Sequence, residues 1–254
     1  MKFELWSPVH YVMIALPVVL ILFFWLVMRK RTQRAKEIMG VIIGSLSIVI
    51  LIARNVYILI SEGFSYEVIP LQVCQIGSLI VGLALITRKR ALLLMAFCFH
   101  LVPAYGALIF ANSLSSYPTL ISMKSLTFIL GHITIIVGAV YGIIVYRSEF
   151  KFKHFVIAFV LTLCFMIPAV ILNSLFRHFW QGTPNYFYLY NADLSPFEPI
   201  FKLGTMRTYG WFSINWEYAC TLIAIFVAIY VVMYFVAKLF NIKRKTAKKQ
   251  TYYE

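Results

Sequence analysis

A chain of 254 residues that is 62% apolar and only 13% charged, with a mean hydropathy of +0.85, has too little polar surface to fold as a water-soluble globule. Its formal net charge of +14 resides in Lys and Arg clusters beside apolar runs, as topology signals and anionic-lipid contacts do. No base-stacking platform or recognition motif accompanies that charge, so nucleic-acid binding is not expected.

A bilayer-spanning helix needs roughly 20 mostly apolar residues, and the chain therefore predicts an all-α polytopic membrane bundle of seven transmembrane helices. It forms one domain, with no room for a separate soluble one. Ahead of the first apolar run, Met1 to His10 lacks a basic n-region and a small-residue cleavage site, so that run reads as a retained span. The predicted spans are Tyr11 to Met28, Ile38 to Ile60, Pro70 to Ile86, Ala91 to Phe110, Ser125 to Tyr146, His154 to Leu175 and Trp211 to Phe240. The last is long enough to imply tilt or an extension into the cytoplasm. The tail 241–254 is basic.

Orientation follows from the loops. One side receives Arg29, Lys30, Arg31, Arg34 and Lys36, then Arg88, Lys89 and Arg90, then Arg147, Lys151 and Lys153, and finally six basic residues from Lys238 through Lys249. The other receives Lys2, Lys124, Arg177, Lys202 and Arg207. The bias has one sign at every loop, which puts the N-terminus outside, the C-terminus in the cytoplasm, and the basic loops against anionic headgroups. The long connection Phe176 to Gly210 then lies outside; its aromatics, Pro, Gly and Asn suit a lid or a collar at headgroup level. No inverted repeat of the transporter kind is visible.

Polar residues within spans are expensive and usually functional. Arg54 and Asn55 in the second span, Gln72, Cys74 and Gln75 at the start of the third, and His132 in the fifth all fall in the outer half. So do Asn173 near the end of the sixth and Asn215 and Glu217 in the seventh, while His100 in the fourth lies nearer mid-membrane. Each has a plain structural reading: Cys as a small packing residue, Asn as interhelical hydrogen-bond glue, Arg54 and Glu217 as an ion pair tying the second helix to the seventh. Their common depth favours a site, and three chemistries fit it. Cys and His on neighbouring helices make a nucleophile and base. Arg54 can hold a phosphate or carboxylate headgroup. Arg, Glu and His can line a proton or solute path. A retinal Schiff base is excluded, because no Lys lies in the core of the seventh span, and five histidines at scattered depths do not make a zinc site.

Ile69-Pro70-Leu71-Gln72-Val73-Cys74 is similar to the "LPLQ/H-x-C" signature of the bacterial YwaF-like integral membrane family. Leu130-Gly131-His132 resembles that family's small-residue-His element, and Asn185-Tyr186-Phe187 after Gly182 its "G-x-NY-x-F" outer loop. Trp211 to Glu217 resembles its aromatic entry to the last helix. The order holds from the second helix to the seventh. The chain departs at Phe97-Cys98-Phe99-His100, where the family shows an aromatic-Trp-Gly stretch, and at Pro184, inserted before Asn185. The bacterial family is related to the animal transmembrane protein 164 family, lipid acyltransferases that use a Cys and a His.

The resemblance implies fatty acyl transfer between phospholipids through an acyl-Cys intermediate, with Cys74 as nucleophile and His132 as base. Asn55, Gln75 or Asn215 would donate to the oxyanion and Arg54 would hold a phosphate. Gln72, His100, Asn173 and Glu217 complete the expected substrate-binding set. No cofactor, metal or acyl-CoA is expected, since the site faces away from the cytosol, and a phospholipid is the natural donor. The competing expectations are a transporter built on Arg54 and Glu217, and a non-catalytic membrane scaffold. The expected location is the cell membrane of a bacterium.

Overall fold

The fold is described from a computed structural model covering residues 3–146, 150–180, 184–192, 195 and 197–250. Lys2 and Arg147 of the charge pattern, Gly182 of the loop motif and residues 251–254 of the tail lie outside the described residues, as do the side chains of the tail beyond 240. Helix α1 spans Pro8–Met28, α2 Gln33–Glu62, α3 Val73–Thr87, α4 Arg90–Met95 and α5 Leu101–Ile109. Helix α6 spans Met123–Val145, α7 Phe152–Trp180, α8 Glu198–Phe201 and α9 Trp216–Gln250. Between α4 and α5 the segment Ala96–His100 is a π-helix, so the three pieces form one continuous rod. Counting that rod as one helix and Tyr66–Thr87 as another, seven helices among the described residues are long and apolar enough to cross a membrane, as expected.

Local chemistry sets the ends. Ser7, Thr32 and Ser122 cap α1, α2 and α6 by accepting from the N–H three residues on, and Pro8 opens α1 where its missing N–H costs nothing. Helix α2 stops at Gly63, whose φ of 78° no side-chain-bearing residue takes readily. Pro17 and Pro168 sit inside α1 and α7, which membrane helices tolerate when neighbours re-satisfy the backbone.

The seventh span differs from expectation at its start. Residues 207–214 are a small antiparallel hairpin, β1 (Arg207–Tyr209) against β2 (Phe212–Ile214), turning at Gly210 and Trp211. Its aromatics raise the hydropathy as a helix would, but the helix begins only at Trp216, after Asn215 has accepted the N–H of Tyr218.

Helix α6 is the hub. Of its membrane-length window 72% is buried, against 17% for α1 and 22% for α7. It packs on α1, α2, α3, α5 and the π segment, while α7 reaches the bundle mainly through α4, and α9 mainly through the π segment with a smaller contact on α6 itself. The fourth span is thus sandwiched between two halves of the bundle, and all five residues of its π segment are buried. The outward faces of α1, α2, α7 and α9 are apolar and exposed, Leu22, Val49, Ile167 and Val232 among them, as lipid-facing surfaces must be.

An odd number of crossings puts the two termini on opposite faces. The α2–α3, α5–α6 and α7–α9 connections share the N-terminal face. There the long connection is tied to the end of α7 by two adjacent side chains. Asn173 brackets the Tyr186 peptide group, and Ser174 both donates to the Ser213 carbonyl and accepts the Ser213 N–H.

Candidate functional site

Helix α3 places Cys74 at its second residue, and α6 places His132 about one turn past Phe128. Both side chains line the same two chambers near the N-terminal face. The larger, of about 130 Å³, is walled by Gln72, Val73, Cys74, His100, Pro103, Ala104, Ala107, Phe110, Phe128, His132, Ile135 and Tyr188. The smaller, of about 80 Å³, runs toward α2, where Ile50, Leu51, Arg54, Gln75, Ser78, Tyr117, Thr127 and Gly131 join the shared residues. Gln72, Cys74, Phe128, His132 and Ile135 border both, so the thiol and the imidazole stand where the two spaces meet.

The histidine's tautomer is fixed by its own helix. Its Nδ1 lies 2.6 Å from the Phe128 carbonyl oxygen, which can only accept; Nδ1 therefore carries the proton and Nε2 the lone pair. The thiol is half-buried on the first turn of α3, where backbone N–H groups have no intrahelical acceptor and Gln72 as N-cap supplies no side-chain bond. Such a turn presents donors and a favourable dipole to negative charge.

Arg54 forms a wall of the smaller chamber, and its partner is Glu67. Nη2 bonds the Glu67 carboxylate at 3.0 Å, and Nη1 bonds the Glu67 carbonyl at 3.1 Å and Asn55 Oδ1 at 3.3 Å. An arginine has five N–H donors, so among the described residues two remain for a ligand. Glu67 was not anticipated from sequence, because it sits in a short turn, Tyr66–Val68, outside the predicted spans. A half-buried cation at that end of α2 calls for an acid nearby, and this was the signal available. Gln75 also grips the turn, donating from Nε2 to the Glu67 carbonyl at 3.1 Å, while its buried Oε1 has no partner.

The other expected residues separate from the cluster. Asn55 donates to the Val68 carbonyl at 3.0 Å and braces the turn from behind. Asn173 is spent on Tyr186, and Asn215 donates to the Phe201 carbonyl at 3.1 Å. Glu217 is exposed and bonded to Arg207 of the hairpin, so the expected Arg54–Glu217 pairing does not form. These side chains are engaged with other partners, and no path joining Arg54 to Glu217 is present among the described residues.

The long connection contributes a residue that sequence reasoning passed over. Asn185 accepts the N–H groups of Tyr190 and Asn191 and so folds the segment into a tight loop. Tyr186 is fully buried and donates to the Tyr66 carbonyl at 2.5 Å, linking the loop to the Glu67 turn. Phe187 and Tyr188 then both take φ of 57°, a left-handed conformation that non-glycine residues adopt only when their surroundings enforce it. The result seats Phe187 near Phe99 and turns Tyr188 into the wall of the larger chamber. Burial raises the Tyr117 and Tyr188 phenols, so both remain neutral hydroxyl donors. No cluster of three or more potential metal ligands exists among the described residues.

No curated protein and no solved structure matches the chain. Residues 5–234, from ahead of α1 to well inside α9, match the sequence model of the TMEM164 family, and the chain is a membrane protein belonging to that family.

Proposed function

We propose that this protein is a membrane-embedded acyltransferase or transacylase that moves a fatty acyl chain between phospholipids, or from a phospholipid to another lipid acceptor. The observation that carries the reading is the shared position of Cys74 and His132 at the junction of two chambers, with the His132 lone pair on Nε2. In the first half-reaction Nε2 takes the thiol proton and the sulfur attacks the ester carbonyl carbon. The tetrahedral intermediate collapses, the carbon–oxygen bond breaks, and the departing lysolipid oxygen receives the proton from the imidazolium. In the second, the hydroxyl of an acceptor lipid gives its proton to Nε2 and displaces the thiolate. No oxidant, metal or cofactor enters the balance.

The division of the walls supports a division of labour. The larger chamber is mostly apolar around Pro103, Ala104, Ala107 and Phe110, which suits an acyl chain and disfavours water as a competing acceptor. The smaller carries the free edge of Arg54 with Gln75, Thr127 and Tyr117, which suits a phosphate headgroup. The loop-charge bias supports a site facing the outer leaflet of a bacterial cell membrane, with the basic loops on anionic lipid opposite.

The decisive experiment is intact-protein mass spectrometry after incubation with phosphatidylcholine vesicles. The expected product is a thioester-linked acyl group on Cys74, absent from Cys74→Ala and reduced at least a hundredfold in rate in His132→Ala, in line with the usual contribution of a general base. Acyl exchange persisting at full rate in Cys74→Ala would overturn covalent catalysis.

A further inference from the structure

Three of the five histidines are buried, and only one of those is unbonded. His10 accepts the Trp6 N–H at Nδ1 and bonds the Leu108 carbonyl at Nε2. His132 is held by Phe128. His100 is 1% exposed, yet neither of its ring nitrogens makes a well-formed hydrogen bond among the described residues; the Val73 backbone acts on the ring without closing one. Leaving both without partners in a buried site is a cost that proteins seldom carry without a reason. The ring lines the larger chamber beside Cys74. It ends the π segment, a kind of helical irregularity concentrated at functional sites. It also lies against α3 at Gly77, one turn beyond Cys74, where a Cβ would stand only 3.1 Å from Nδ1.

We infer that His100 is a third catalytic group of this site, whose N–H donates to the carbonyl oxygen of the acyl ester under attack by Cys74. The inference rests on the acyl-transfer reading above. An ester carries acceptors and no donors, so what it needs from the chamber is a donor. A neutral imidazole always has one N–H, whichever tautomer it adopts. As the carbon–sulfur bond forms, negative charge gathers on the carbonyl oxygen, and a donor fixed in an apolar wall stabilises that charge more than the ground state. The groups expected in this role are engaged elsewhere: Asn55 with Val68, Gln75 with Glu67 and Asn215 with Phe201. The N–H groups on the first turn of α3, which have no intrahelical acceptor, supply the second half of the oxyanion hole. His100 keeps its proton throughout; proton transfer belongs to His132.

The test measures the single-turnover rate of Cys74 thioester formation in the full chain, reconstituted in phosphatidylcholine nanodiscs. His100→Leu should slow that rate about a hundredfold, the usual effect of losing one oxyanion donor, whereas His100→Asn, which keeps a donor, should stay within about tenfold of wild type. His100→Ala should be slow alone and recover with added imidazole, a rescue that a purely structural histidine would not give and that does not depend on the leucine variant folding. A wild-type rate in His100→Ala, or a slow rate that imidazole leaves unchanged, overturns the donor role. If the wild-type chain itself forms no thioester, the acyl-transfer reading falls and this role with it. A thioester in wild type with an indifferent His100 overturns the donor role alone.

Discussion

Helices α2 and α3 touch backbone to backbone at Gly44 and Gly82: a Cβ on Gly44 would stand 2.9 Å from the Gly82 carbonyl oxygen. Small residues of this kind let membrane helices approach closely, and here the approach also brings Ser47 within 3.1 Å of the Ser78 carbonyl. It sets how far Arg54 on α2 stands from Cys74 on α3.

Gly44→Val should therefore force the pair apart, costing about 1–3 kcal/mol, the usual range for overpacking a tight contact. A thermal melt in detergent will register it. Because the smaller chamber lies between these helices, phospholipid KM should rise more than kcat falls.

Asn173 holds the Tyr186 peptide group from both sides, donating to its carbonyl at 3.0 Å and accepting its N–H at 2.8 Å. Asn173→Leu keeps the volume and removes both bonds, leaving a buried donor and acceptor unpaired. We expect a loss of about 2–4 kcal/mol and faster limited proteolysis within 184–192, with no matching change at α2 or α3. Equal protease resistance in wild type and variant would contradict the clamp.

Tyr186 gives this loop a pH limit. Burial, reinforced by Tyr66 and Glu67, pushes its phenol up to about 12 from an ordinary value of 10.0. The folded state thus holds the proton more tightly than the unfolded one. Stability from this group is complete below pH 10 and is lost as pH rises toward about 12. Tyr186→Phe should cost about 0.5–1.5 kcal/mol at neutral pH and flatten the part of the alkaline stability profile that wild type shows in that window.

Glu217 and Arg54 offer a contrast. Glu217→Gln removes an exposed pairing with Arg207, and exposed pairs contribute about 0–1 kcal/mol; acyl exchange should be unchanged. Arg54→Gln strips a chamber wall and leaves Glu67 without its cation, so activity should fall at least tenfold. Equal sensitivity of the two variants would reinstate the Arg54–Glu217 pairing.

The seven spans were legible because lipid demands long apolar runs, and hydropathy measures that directly. Residue counts along the helices put Arg54, Cys74, His132, Asn173, Asn215 and Glu217 at similar expected levels. What the sequence lacked was azimuth. A membrane helix is apolar toward lipid and toward its neighbours alike, so α7 carries no stripe to say which way Asn173 faces. That is why three of the residues at the right depth turned out to serve the connecting segment. Glu67 and Tyr188 were missed for another reason. Each reaches the site from irregular backbone, whose path depends on side-chain clamps such as Asn185 and Tyr186.

The π segment has a consequence for how such a bundle can be altered. Leu101 N–H bonds back five residues to Ala96, so the rod carries slack that an α-helix of the same composition would not. Each residue in an α-helix turns the chain by about 100°. Deleting a single position between Ala96 and His100 would take up that slack, closing the turn to regular α-helix and leaving Pro103, Ala104 and Ala107 facing as they do. The same deletion within the regular helix of α6 would instead swing everything beyond it by about that angle. The π segment is thus a place where the chain can lose a residue without changing which strip of α5 lines the larger chamber.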